Sequence, residues 1–489
     1  MKSLLMIWAV AAGVALSSLP AHSRPAPPAQ KGQKPLIILF SFDTLRADHL
    51  SCYGYDRRTS PFIDEMAKDS VLFSNPISQS PLTAPAHASI FTALTPAVHL
   101  VNNPNDTDPD IYNTLSPEVP TLASVLKAAG YLTVGMHGGG CVSSDFGFDR
   151  GFDYYGGDFF FNFQTVYYRP ERELQSIRKW LKESRDQGKP LFLFLHHFLC
   201  HHPYLQCPAE FELRFLPKPV PGLPIDRSGL LKNEDPGWGI WDENSVWRDV
   251  DLNRPDHNNH IVSLYDGSIA YADTIFRDLL NILKEEGFYE NSFIILTGDH
   301  GEEFNEHGGK MHGRLFIEHL YVPLIIKFPG NRYAGQKIPD LVRTMDILPS
   351  ICDYLNISSP PRIQGVSMLP LLHGKGRYDP LISSYALTYQ GPHSREMDVS
   401  ERLARGDWAY SNLEWNGQTE WLFNTTRDPG EQSNLARAEK EILKEMRSQA
   451  ELLKAENQNF RKSFAPGEGS APPLGDKVKK QLRSLGYIQ

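Results

Sequence analysis

The chain predicts an α/β fold, a mainly parallel sheet flanked by helices, with a smaller α+β subdomain at its C-terminal end. Three observations carry this. Apolar runs of strand length are continuous rather than alternating, the mark of strands buried on both faces. Segments with helical period lie between them, the alternation from which parallel sheets are built. After about residue 378 the pattern changes to short strands followed by one charged helix.

Residues 1–23 read as a secretory signal, with Lys2 as the charged start, an apolar stretch over 4–16 and Ala21-His22-Ser23 as the cleavage site. That stretch is short of a full membrane span, and no later segment is apolar enough for one. The expectation is an exported protein, periplasmic or secreted, with no stable membrane span after signal cleavage. Residues 24–35, with four prolines, form a linker. A catalytic domain is expected over 36–377. Its first buried strand covers 36–40 and ends in Ser41-Phe42-Asp43; runs at 191–195, 293–297 and 322–328 read as further parallel strands. Helical patterns cover 120–129 and 268–286. Residues 205–260, rich in Pro and Trp without periodicity, are expected to form a long substrate-side loop carrying Trp238, Trp241 and Trp247. The C-terminal subdomain, 378–489, should contain strands at 408–412 and 420–424 and a helix over 438–456.

A chain of 489 residues can bury a large core, and 41% apolar with 22% charged residues is an ordinary globular mix. A formal charge of −9 without a clustered basic face excludes a nucleic-acid surface. Five cysteines are too few for a disulfide scaffold. Cys200 and Cys207 either pair around the His201-His202-Pro203 corner or stay free.

In parallel sheets, ligands gather beyond the carboxyl ends of the strands. Asp43 follows the first strand there, and Asp299-His300 follow the 293–297 run across Gly298. Together with Thr83 these residues are expected to hold one divalent metal ion. The ion would lower the Thr83 hydroxyl pKa and screen an anionic ester. Mixed oxygen and nitrogen ligands favour manganese or zinc over calcium or magnesium. Thr83 also fits the N-cap of a helix over 85–93, whose N-terminus suits an anionic oxygen. His201, in the run His196-His197-Phe198-Leu199-Cys200-His201-His202, is a candidate donor to substrate oxygens or general acid; the run is also open to a second metal site. His312, in Gly308-Gly309-Lys310-Met311-His312-Gly313, is a candidate for substrate binding or leaving-group protonation, with Lys310 and His87 as further substrate-binding candidates.

These residues carry a family resemblance. Ser41-Phe42-Asp43-Thr44-Leu45-Arg46-Ala47-Asp48, Thr83-Ala84-Pro85-Ala86-His87, Gly298-Asp299-His300-Gly301-Glu302-Glu303 and Val322-Pro323-Leu324-Ile325-Ile326 resemble the sulfatase family of the alkaline phosphatase superfamily. So do Asp428-Pro429-Gly430-Glu431-Gln432-Ser433-Asn434-Leu435 and the motif at 482–487. The resemblance implies an alkaline-phosphatase-like fold and a metal-dependent hydrolase of phosphoric or sulfuric esters.

Three departures redirect the chemistry. The family's tandem aspartates stand here as Asp43-Thr44, and its Cys-x-Pro-x-Arg signature as Thr83-x-Pro85-x-His87. Its Gly-Lys-Trp-His segment is replaced by His137-Gly138-Gly139-Gly140. Without the cysteine or serine precursor there is no formylglycine, so the resemblance leaves Thr83 as a direct nucleophile. That pattern is similar to phosphoethanolamine transferases and lipoteichoic acid synthases, without their transmembrane helices, and favours phosphoesters. Two other readings stand beside it: a sulfatase working without formylglycine, and a non-catalytic glycan-binding module with Trp238, Trp241 and Trp247 as a stacking surface. The expected partner is a small-molecule, glycan or lipid anionic ester.

Overall fold

A computed structural model describes residues 34–101, 113–138, 140–156, 170–216, 218–223, 225, 247, 249–374, 378, 382–389 and 397–464. The signal, nearly all of the linker, Gly139, Trp238, Trp241 and the motif at 482–487 lie outside the described residues.

Among the described residues, fourteen strands follow one another along the chain. They are β1 (Leu36–Phe42), β2 (Val71–Ile77), β3 (Leu132–His137), β4 (Tyr154–Gly156), β5 (Leu191–His197), β6 (Ser292–Gly298), β7 (Glu303–Phe304) and β8 (Lys310–Met311). The rest are β9 (Leu324–Lys327), β10 (Lys337–Arg343), β11 (Ile382–Tyr389), β12 (Met397–Arg405), β13 (Trp408–Ser411) and β14 (Trp421–Asn424). Eight of them form one sheet in the order β10-β2-β9-β6-β1-β5-β3-β4. The expected mainly parallel sheet is present, with one correction. The 322–328 run does not give a parallel strand, because β9 runs antiparallel to both β2 and β6. The 25 residues between β6 and β9 hold only the hairpin of β7 and β8 and the four-residue helix Ile317–Leu320, not the crossover helix that would return the chain parallel.

β1 is buried at every residue because both faces of the sheet are covered. On one face Leu36, Ile38 and Phe40 join Leu191, Leu193 and Leu195 against the helix Pro255–Glu285. On the other, Ile37 and Leu39 join Phe192 and Phe194 against the helices Thr83–Thr92, Leu122–Ala128 and Ile347–Leu355. Each such side chain contributes roughly 1.5–3 kcal/mol on burial, which fixes the strand ends that carry the site.

The helix expected over 268–286 begins much earlier, at Pro255, so it takes in the end of the presumed 205–260 loop. Pro255 stands at its first turn, where its missing N–H costs nothing. Trp247 is also corrected. It is buried, with its ring 6.4 Å from that of Phe304 and 6.5 Å from that of Tyr204, so it offers no exposed stacking surface. Cys200 and Cys207 are both free.

The four strands β11 to β14 form a separate antiparallel sheet. The helix Lys440–Arg461 covers it, Leu443, Met446 and Ala450 packing on Leu403, Tyr410 and Leu422. A buried ion pair inside this subdomain faces the first: Arg402 Nη1 and Nη2 donate to Glu431 at 3.0 and 2.5 Å, and Glu431 reaches across to accept the Ile317 N–H.

Candidate active site

The carboxyl ends of β1, β5 and β6 lie side by side, because β1 is paired to both of the others. Asp43, just past β1, and Asp299-His300, just past β6, therefore face one another. Thr83 approaches from the helix Thr83–Thr92. Here the expectation of an N-cap is corrected: Leu82 is the cap and Thr83 the first helical residue. Its hydroxyl therefore does not satisfy the helix N–H groups. Instead Thr83 Oγ1 donates to Asp43 Oδ2 at 3.2 Å and lies 3.2 Å from His300 Nε2. All four residues are fully buried.

Asp299 is held by its neighbours. Oδ1 accepts the backbone N–H groups of Thr44 and His300 at 3.1 and 2.8 Å. Oδ2 makes no hydrogen bond, and neither does Asp43 Oδ1. His300 Nδ1 donates to the Gly301 carbonyl at 3.0 Å. Its Nε2 is therefore a lone pair, 3.6 Å from Asp43 Oδ1 and 3.8 Å from Asp299 Oδ2. Two buried carboxylates and an imidazole lone pair aimed at one point are costly without a cation between them. Burial, reinforced by Asp43, pushes Asp299 up to about 7, and burial raises Asp43 as well. Asp43, Asp299 and His300 bring one donor atom each within 4.8 Å of one another, so the donor set fits a divalent ion. Thr44, where the family has a second aspartate, turns away: its hydroxyl donates to the Cys200 carbonyl at 2.7 Å.

A second layer lies above. The hairpin of β7 and β8 carries His312 back over the centre, its ring 4.5 Å from that of His300 and 5.1 Å from that of His201. His312 Nδ1 donates to Glu302 Oε1 at 3.1 Å, and burial lowers His312 to about 3 while raising Glu302 to about 7. His201 Nδ1 donates to the His202 carbonyl at 2.8 Å, leaving Nε2 without a hydrogen bond. Burial lowers His201 too. Lys310 is half-buried, its ammonium 5.8 Å from the centre of the Trp247 ring. His87 is fully buried beneath the centre. Its Nδ1 donates to the Thr83 carbonyl at 2.9 Å and lies 3.6 Å from Asp299 Oδ2, and its Nε2 is 3.1 Å from Ser41 Oγ. Two further residues also reach the site, Glu302 with no role from sequence and His196 with one only as part of the histidine run. Glu302 pairs with His312, as its place in the Gly298-to-Glu303 motif could have suggested. His196 stands 3.6 Å from Asp43 Oδ2.

A model of the family described as Sulfatase matches residues 35–357, and one described as N-sulphoglucosamine sulphohydrolase, C-terminal, matches 306–458. The N-acetylglucosamine-6-O-sulfatase of Bacteroides thetaiotaomicron is 24% identical over 504 residues, covering 88% of each chain. A multifunctional alkaline phosphatase superfamily protein of Trinickia caryophylli is 26% identical over 275 residues, covering 52% of this chain and 53% of its own. The phosphonate monoester hydrolase of Agrobacterium radiobacter shares the fold, with a TM-score of 0.68 at 19% identity over 87% of this chain and 96% of that one. The match over residues 35–357, about two thirds of the sequence, shows that the chain belongs to the Sulfatase family of ester hydrolases.

Proposed function

We propose that this chain is a metal-dependent hydrolase of monoanionic esters in which the Thr83 hydroxyl is the direct nucleophile, with phosphodiesters and phosphonate monoesters favoured. The observation that carries the reading is the position of Thr83 Oγ1, 3.2 Å from both Asp43 Oδ2 and His300 Nε2 at a helix N-terminus. That end offers a positive dipole to an anionic oxygen. Asp43, Asp299 and His300 would hold the ion, with manganese or zinc the best fit to an oxygen-and-nitrogen set. A bound divalent cation supplies Lewis-acid charge that screens the ester and favours the Thr83 alkoxide. Thr83 attacks phosphorus in line, its proton passing to Asp43 Oδ2 as the bond to the leaving oxygen breaks. Water then hydrolyses the phosphothreonine. His201 and His312, held over the centre, enclose the transferring group, and the proton taken up by Asp43 is handed on to the leaving oxygen.

Charge balance selects the substrate class. Two carboxylates cancel one divalent cation, and burial holds His87, His196, His300 and His312 neutral near pH 7. A singly charged ester suits that centre better than a phosphate dianion. A sulfate monoester carries the same charge, and the sulfatase relatives favour it as the second reading. Residues 1–23 would direct the enzyme to the periplasm or outside the cell, where glycan or lipid esters are the candidate substrates.

The test uses purified mature protein loaded with zinc or manganese, assayed on aryl phosphodiester, phosphonate monoester, phosphate monoester and sulfate ester. The diester or phosphonate should turn over at least 100-fold faster than the phosphate monoester. Turnover of sulfate alone would overturn the phosphorus preference, and turnover surviving Thr83→Ala would overturn the nucleophile.

A further inference from the structure

β1 and β5 are paired with Ser41 opposite His196, so both side chains leave the sheet on the face covered by the helix Thr83–Thr92. His87 comes down from that helix to meet them, its ring 4.3 Å from that of His196. A chain of hydrogen bonds links the three to Thr83. The Thr83 carbonyl can only accept, so His87 Nδ1 carries the hydrogen at 2.9 Å. The neutral ring then has an acceptor at Nε2, and Ser41 Oγ donates to it across 3.1 Å. Ser41 has one hydroxyl hydrogen, already committed, so it accepts from His196 Nδ1 at 3.2 Å. This leaves His196 Nε2 as a lone pair. That atom is fully buried, makes no hydrogen bond, and lies 3.6 Å from Asp43 Oδ2. His196 also brings a donor atom within 4.8 Å of Asp299, which itself belongs to the Asp43, Asp299 and His300 group. A buried lone pair aimed at carboxylate oxygens is repulsive unless a cation sits between them.

We propose that His196 is a further ligand of the metal centre, binding through Nε2, with Ser41 and His87 as positioning residues that fix its tautomer. The relay does what an outer partner does for a ligating histidine, orienting the ring and directing its lone pair inward. With His300, the centre then offers two imidazoles and two carboxylates, a set that selects zinc or cobalt over calcium. The proposal rests on the metal centre of the proposed function but not on Thr83 as nucleophile.

The experiment measures cation binding without turnover. Zinc, cobalt and calcium affinities of the full chain are determined by competition with a chromogenic chelator, together with the visible absorption of the cobalt form, for the parent, His196→Gln and Ser41→Ala. His196→Gln should weaken zinc and cobalt binding at least tenfold, change calcium affinity less than threefold, and shift the cobalt spectrum. Ser41→Ala, which frees the tautomer while keeping the ligand, should weaken zinc binding three- to tenfold. Unchanged zinc affinity and cobalt spectrum in His196→Gln would overturn the assignment, as would an equal loss for all three cations. If His196→Gln fails to fold, Ser41→Ala decides alone, and parent-like zinc affinity there overturns the relay. Turnover that survives Thr83→Ala, by contrast, would leave this result standing.

Discussion

The buried pair between Arg402 and Glu431 lies within the C-terminal subdomain where it meets Ile317 of the catalytic domain, and removing the guanidinium should be costly. Both residues are almost wholly buried, at 2% and 1% exposure. Arg402→Met removes two charge-assisted hydrogen bonds, at 3.0 and 2.5 Å, and leaves a carboxylate whose remaining donor is the backbone N–H of Ile317 at 3.1 Å. Breaking one partner of such a pair costs about 3–5 kcal/mol, because the other charge stays buried. Adding Glu431→Gln removes that charge while keeping an acceptor for Ile317, so the double variant should recover to within about 2 kcal/mol of the parent. Burial already raises the Glu431 carboxyl, so it can take up a proton once Arg402 is gone. The loss in Arg402→Met should therefore be larger at pH 8 than at pH 5. Urea unfolding followed by far-ultraviolet circular dichroism at the two pH values measures all of this. A single variant within 1 kcal/mol of the parent, or a double variant no better than the single, would refute the reasoning.

Three further outcomes follow from the same geometry. His307 is lowered by burial but raised more by Glu318, whose Oε1 is 2.7 Å from its Nδ1, and stands at about 8. Its folded value thus lies above the unfolded one. On the order of 1 kcal/mol of stability, after solvent screening, should be present below pH 6.5 and lost as pH rises through 8. His307→Gln should flatten that part of a stability-versus-pH curve. Gly301→Ala should weaken zinc binding and lower the melting temperature, because a Cβ there would come 2.0 Å from the Glu318 carbonyl oxygen, backbone that cannot swing aside. Calorimetry and chelator competition read the two effects. Removing metal with a chelator should leave a protein that gains stability as pH falls through 7, where Asp299 takes up a proton; restoring zinc should abolish that dependence.

Much of this centre was legible in the sequence for a simple reason. Parallel sheets place functional groups at strand ends, and Asp43 and Asp299-His300 each follow a continuous apolar run there. The helix was visible from Pro85, although it begins two residues earlier, at Thr83. What escaped depended on partners distant in the chain. Nothing local to residues 322–328 distinguishes an antiparallel strand from a parallel one. His196 and His197 alternate to opposite faces of their strand, and only the pairing of β1 with β5 shows which of them meets the metal-capable pair, the other reaching Glu173 at 3.0 Å. The tautomer relay needs three side chains from two strands and a helix. Trp247 looked like surface because its neighbours are polar and proline-rich, yet Tyr204 and Phe304, distant in sequence, enclose it.

The central claim, that Thr83 carries the transferred group, is tested most directly by trapping it. Zinc-loaded enzyme is mixed with an aryl phosphodiester, quenched in acid within the first turnover, digested, and analysed by tandem mass spectrometry. The account predicts one phosphoryl ester on the peptide containing Thr83, located at that residue, and on serine in Thr83→Ser. A product burst with the phosphoryl group on another residue would contradict it, as would a Thr83→Ala variant turning over within tenfold of the parent.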